Sequence, residues 1–148
     1  MSRRDQIRMT EAEIAAFLDE PHLCRIGTEG PGGSMHLVAM NYGFVDGVPA
    51  FWTYRKAQKV KNLERNPNIG MLVDTGRLYH ELRGVHLMGT ADLTDDPDVI
   101  AAFWASMVQR YRMRDDNPAE SSAPKRLVVK IHATKVISWD HGKLGGVY

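Results

Sequence analysis

The sequence predicts a mainly β domain of the α+β class: a small antiparallel barrel of six strands with helices at its periphery. Three observations lead there. First, residues 35–45 are apolar on both alternating faces, with Leu37, Ala39 and Val45 on one and Val38, Met40, Tyr42 and Phe44 on the other. A strand of that kind suits a barrel wall that also packs on a partner. Second, Asp46-Gly47 follows at once and carries a type I′ hairpin signal. Third, strand-like runs recur along all 148 residues with helical patterns between them, and no repeat or composition shift marks a boundary. One domain over residues 1–148 is expected. Closing the sheet removes its exposed edges.

Each element has a local reason. Thr10 and Glu13 have capping-box spacing, and Ile14, Phe17 and Leu18 give a short one-sided helix that ends before Pro21. Residues 23–28 read as a strand, and the glycine-rich 29–34 as a turn. Residues 48–54 return from the hairpin, with Pro49 tolerated near the strand start. Residues 69–74 and 83–93 are further strands, and Gly84 and Gly89 suit bulges or barrel corners. Asp96-Pro97 is an N-cap followed by proline at the first helical position. Val99, Ile100, Phe103, Trp104, Met107, Val108 and Tyr111 then form one apolar stripe, read as core packing. The polar segment 113–125 reads as a mobile loop, or a lid. Residues 127–139 are the last strand and 140–148 an irregular tail.

Composition narrows the function. Net charge is +1, so no broad field draws nucleic acid or a membrane surface. The single Cys24 excludes an intrachain disulfide and a cysteine-rich metal site, and its apolar surroundings make it a small core residue. The first residues lack an apolar signal region, and no run approaches the roughly 18 apolar residues of a membrane span. A soluble cytoplasmic protein is expected. No Ser-His-Asp set, paired carboxylates or nucleotide-binding glycine motif is found, and no residue is singled out as catalytic.

The informative stretch runs from Trp52 to Pro67, where an aromatic strand end enters a basic helix that Asn66-Pro67 stops. Helix N-termini carry unpaired N–H groups and partial positive charge, so cations there do little for the helix but can hold phosphate. At 100° per residue Val60 and Leu63 define the buried stripe, Lys59 flanks it, and Lys61 and Arg65 face solvent. Arg55 and Lys56 sit at the junction and can join Lys59 around one anion. An ordinary amphipathic surface helix has the same spacing.

The order of these segments resembles the pyridoxamine-5′-phosphate-oxidase-like split β-barrel family, whose fold is the FMN-binding split barrel. It is most similar to the flavin- and deazaflavin-dependent oxidoreductase branch. The likeness spans nearly the whole chain. It is carried by residues 35–42, Asp46-Gly47, Gln58-Lys59-Val60-Lys61-Asn62-Leu63 with Asn66-Pro67, residues 81–85, and residues 138–144. It implies a homodimer with cofactors at the interface, and hydride transfer between reduced coenzyme F420, or alternatively FMN, and a small conjugated substrate. By that likeness Arg55, Lys56 and Lys59, with Thr53, Gln58 and Asn62, lie at the cofactor phosphate. Met40 and Asn41 run along the ring, and Trp139 and Lys143 cross from the partner subunit. Met35 stands where many members have proline, so the loop before the ring site departs from the pattern.

Other sites are weaker. The six histidines are scattered, and His80 and His86 lack ligand spacing. No metal site is expected. Some split-barrel relatives handle haem, for which His36 and His141 are the exposed axial candidates. A non-catalytic flavin or haem carrier is therefore the other reading. The basic run 55–65 lacks a stacking platform for nucleic acid.

Overall fold

The structure is a computed structural model and describes residues 1–113 and 120–147. Seven strands form one antiparallel sheet: β1 Leu23–Glu29, β2 Met35–Asn41, β3 Gly43–Val45, β4 Val48–Tyr54, β5 Asn68–Thr75, β6 Arg83–Thr94 and β7 Arg126–Asp140. Four helices accompany them: α1 Arg3–Ile7, α2 Glu11–Asp19, α3 Gln58–Arg65 and α4 Pro97–Tyr111. The strand order is β2-β1-β5-β6-β7-β4-β3. The two edge strands, β2 and β3, are consecutive in sequence with only Tyr42 between them. The sheet's edges must therefore meet at Tyr42, which rolls the sheet into a barrel.

The expected single strand over 35–45 is thus two, and the expected six strands are seven. The hairpin register pairs Gly43 with Ala50 and Val45 with Val48. Carried past Tyr42, that register would set Met40 opposite Thr53. No ladder joins β2 to β4 among the described residues, so the barrel is split there.

Local chemistry explains the rest. Thr10 Oγ1 accepts the Glu13 N–H at 3.2 Å, while Glu13 Oε2 accepts the Thr10 N–H at 2.7 Å. Asp46 and Gly47 have φ of 50° and 78°, as a type I′ turn requires. Asp96 caps α4 and Pro97 opens it. Gly89 sits at the β6–β7 register shift. A Cβ there would strike the His132 carbonyl. Gly84 marks no bulge: Trp139 lies flat across it, where a side chain would collide with the ring. Helix α1 was not foreseen; its Ser2–Asp5 capping box is the signal that marks it.

Two cores result. Phe17, Ile26, Tyr42, Phe51, Val60, Met71 and Val85 fill the barrel. Ile100, Phe103, Trp104 and Met107 of α4 cover the outer face of β4 and β7 at Ala50, Trp52 and Val128. The close approach at the seam explains Gly43, whose Cβ would lie 3.0 Å from Met107 Sδ and 3.2 Å from Phe103. Helix α4 thus covers Val45, while Met35 and Leu37 of β2 stay 71% and 69% exposed.

Helix α4 also bolts the seam. The Tyr111 hydroxyl accepts the Tyr42 N–H at 3.1 Å and lies 2.7 Å and 3.0 Å from the carbonyls of His22 and Tyr42. Arg110 donates to the carbonyls of Leu18, Asp19 and Glu20 at 2.7, 2.9 and 2.8 Å, and lies 4.7 Å over the Tyr42 ring. The Tyr42 hydroxyl donates to Leu18 O at 2.6 Å. Because Arg110 already serves that carbonyl, Tyr42→Phe should cost only about 1 kcal/mol. Arg110→Met strips three carbonyls of a charged donor and should cost about 2–4 kcal/mol. Urea unfolding of the two variants measures the order.

Candidate functional site

Helix α3 begins after Ala57 with no side-chain cap and no acid in its first turn. Its first N–H groups are therefore open to an anion, unlike those of α1, α2 and α4, which Ser2, Thr10 and Asp96 cap. In that turn, Lys59 turns back to the strand, and its ammonium donates to Thr53 Oγ1 at 3.1 Å. Thr53 is buried, at 3% exposure. Lys59 has no carboxylate partner among the described residues. Desolvation and then the nearby Arg126 charge pull its pKa below the ordinary 10.5.

A neutral relay underlies the same helix. Gln58 Nε2 donates to Asn62 Oδ1 at 2.8 Å, and Asn62 Nδ2 to Thr28 Oγ1 at 3.1 Å. Asn62 and Thr28 are buried. Asn62 thus anchors α3 to β1 and fixes the direction of its N-terminus. His36 stands opposite Thr28 across the β1–β2 pair. It is half-buried, and its Nδ1 is buried without a partner.

Residues at the junction are looser. Arg55 pairs with Asp95 at 3.3 Å, both exposed, and Lys56 is exposed. Lys61 faces solvent as expected, but Arg65 is not merely solvated: it donates to Glu29 O at 2.7 Å. Arg126 was missed in the sequence. Its guanidinium lies 4.4 Å over Trp52 and 4.1 Å over Tyr54, and Trp52 stacks on Trp104 at 4.6 Å. Only the β4–β7 register, with Tyr54 opposite Arg126, brings it to this end of the barrel.

Met40 and Asn41 sit on β2 beside the split, half-buried. Trp139 and Lys143 are elsewhere. Leu127 faces Thr53 across the ladder. From there to Trp139, β7 runs on for roughly 40 Å at ~3.3 Å per residue. The tail is ordered against its own chain: Lys143 Nζ donates to Glu13 Oε2 at 2.6 Å and to Arg8 O at 2.8 Å. The Lys143 bond holds the Glu13 carboxyl below its usual range.

His36 and His141, expected to be exposed, are half-buried; His141 meets Tyr79 edge-on at 4.3 Å. No three metal-ligating side chains cluster among the described residues. Of the loop or lid expected over 113–125, residues 114–119 lie outside the described residues, and Glu120–Lys125 form a 3-10 helix rather than an irregular loop. Cys24 is buried in the core, as expected, with its thiol pushed up to about 12 by burial. No helix among the described residues is long and apolar enough to cross a membrane.

The family model described as pyridoxamine 5′-phosphate oxidase matches residues 10–140. The chain belongs to the pyridoxamine 5′-phosphate oxidase family. Among solved structures, a conserved hypothetical protein of Mycobacterium tuberculosis, Rv2991, is 35% identical with a TM-score of 0.88, covering 100% of this chain and 95% of its own. A protein described as an F420 reductase is 24% identical with a TM-score of 0.69, covering 82% and 93%. General Stress Protein 26 of Bacillus anthracis is 20% identical with a TM-score of 0.64, covering 95% of both chains. No curated protein matches the sequence. The family's split barrel is the fold described above.

The depressed Lys59 pKa has a consequence for stability. A lysine whose folded pKa lies below its unfolded value charges less readily when folded. Its cation therefore costs stability at neutral pH, and the cost is relieved as pH rises through the folded pKa toward 10.5. In ligand-free protein, Lys59→Met should raise the unfolding midpoint at neutral pH. The gap should narrow in the alkaline range, as urea titrations at stepped pH will read.

Proposed function

We propose that this protein is an oxidoreductase that binds a phosphate-bearing tricyclic cofactor, coenzyme F420 in the first instance and FMN as the alternative, and reduces a small conjugated substrate. The observation that carries the reading is the half-buried Lys59 ammonium at an uncapped helix start, with a buried hydroxyl and, among the described residues, no acid to neutralise it. A cation held out of water without a counter-ion fits a ligand that brings the anion. The residues fit a phosphate: Lys59 supplies charge, Thr53 a hydroxyl, and the first α3 amides two more donors. Gln58 and Asn62 orient the helix. Arg55 and Lys56, exposed beside it, add charge at the entrance.

The cofactor, when bound, supplies hydride transfer. This chain's residues bind, orient and exclude water. Met40 and Asn41 flank the split and form the wall along which a ring lies. The neighbouring F420 reductase and the absence of an acid–base set in the sequence favour this reading. Trp139 and Lys143 are too distant to serve the Lys59 site of their own chain, so a role for them there requires the partner's tail. Lys143, held by Glu13, is the weaker of the two for it.

The same reading calls for a homodimer. The outward face of β1 and β2 carries Leu23, Met35 and Leu37 at 53%, 71% and 69% exposure. Gly27, flanked by Leu37 and Gly70 in the ladder, leaves the middle of that face flat. Arg25, paired with Asp74, separates Leu23 from the rest, so the exposed apolar patch is Met35 and Leu37 beside Gly27. Such a patch suits an interface, and a second copy is the cover the family implies.

Parallel titration with F420, FMN and haem distinguishes the readings. Lys59→Met should weaken the bound cofactor by about 1.5–3 kcal/mol, tenfold to more than a hundredfold, while Lys61→Ala should leave it within error. Equal losses at both positions would reduce the site to a diffuse basic surface. For assembly, Leu37→Lys should convert a dimer to a monomer in light scattering. A wild-type protein of 16.7 kDa at micromolar concentration would overturn the dimer.

A further inference from the structure

A second pair of concavities lies away from the α3 site, where the N-terminal helices meet the far half of β7. One, of about 440 Å³, is rimmed by Arg4, Arg8 and Lys135 over a floor of Met9, Ile14 and Val136. The other, of about 760 Å³, continues from the same Ile14 and Val136 between α2 and the β3–β4 hairpin, past Ala15, Phe44 and Pro49. Both volumes fall within the roughly 300–1,000 Å³ of ligand sites. The shared residues make the two one groove.

Its chemistry is uneven along its length. No carboxylate lines the first concavity; Asp5, outside it, pairs with Arg8 at 3.4 Å and attracts Arg4 more weakly, and Lys135 has no acidic partner among the described residues. The second is mostly apolar, with Glu11 and Asp19 at its rim. Val136, which lines both concavities, stays 46% exposed. Two arginines and a lysine around one opening match a planar anion, which guanidinium groups bind through paired hydrogen bonds. The apolar continuation matches a flexible chain.

We propose that this groove binds a free single-chain amphiphile with a carboxylate head. The head sits between Arg4, Arg8 and Lys135, and the alkyl chain passes over Ile14 and Val136 into the trough beside α2. The inference goes beyond the oxidoreductase reading and does not depend on it, since none of these residues touches Lys59 or Thr53.

The test is calorimetric titration of the full chain with octanoate, decanoate and dodecanoate. One saturable site per chain is expected, each added methylene tightening binding roughly threefold to fourfold. Lys135→Glu, on the exposed strand face, should weaken decanoate at least tenfold and leave the unfolding midpoint in place. Val136→Asp should flatten the dependence on chain length. Decyltrimethylammonium should not bind. Absence of saturable heat, or affinity indifferent to chain length or to Lys135→Glu, would overturn the proposal. Two further results would also overturn it. Co-sedimentation with phosphatidylglycerol vesicles in place of monomer binding would make the groove a membrane contact. Dissociation of an oligomer by decanoate would make it a subunit contact. The F420 and FMN titrations of the same variants report on the other site separately.

Discussion

The structure depends on a one-residue passage. Tyr42 carries the chain from one edge of a seven-stranded sheet to the other, so the edges have to meet. A backbone at such a seam cannot satisfy its hydrogen bonds through a ladder. Tyr111, sixty-nine residues away, supplies the missing partner, and Arg110 ties the end of α2 to the same point. Helix α4 is therefore both the cover of the outer core and the clamp of the barrel. Beyond the clamp β2 and β4 part, and the cofactor site proposed here lies beside that opening. Closure and opening are two results of one chain reversal.

Much of the fold was legible because its signals are short-range. Thr10 with Glu13, Asp46 with Gly47, and Asp96 with Pro97 each state their geometry within four residues, and each forms as read. The strand break at Tyr42 was not legible, since alternation continues through it: Val38, Met40 and Phe44 all turn to the barrel core. What interrupts the strand is a hydroxyl from a distant helix, which no local pattern encodes.

The candidate site divides the same way. Helical spacing separated Lys59 from Lys61 correctly, because burial on a helix follows period. It did not find Arg126, whose place comes from pairing with Tyr54 across a long connection. It placed Arg65 on the solvent side, where it stays exposed, but did not show the reach of its long side chain to the Glu29 carbonyl. The family resemblance gave the tail a dock only on a partner subunit, whereas within the chain Glu13 serves as both capping-box acid and acceptor for Lys143.

Strand β7 spans both halves of the barrel: residues 126–130 pair with β4, and much of the strand pairs with β6. The hairpins β1–β2 and β3–β4 close over short turns and can form early. The β4–β7 ladder joins residues 50–54 to 126–130, and such non-local closure is slow. In the strand order, β3 and β4 hang on the sheet through β7 alone, with the Tyr111 bolt on their other side. Burial compensates for that single ladder: Phe51 belongs to the barrel core, Ala50 and Trp52 to the core under α4, and Asn62 ties the helix that follows to β1. The proposed anion site thus stands at the end of a strand that both cores grip, which keeps its donors in place before any ligand arrives.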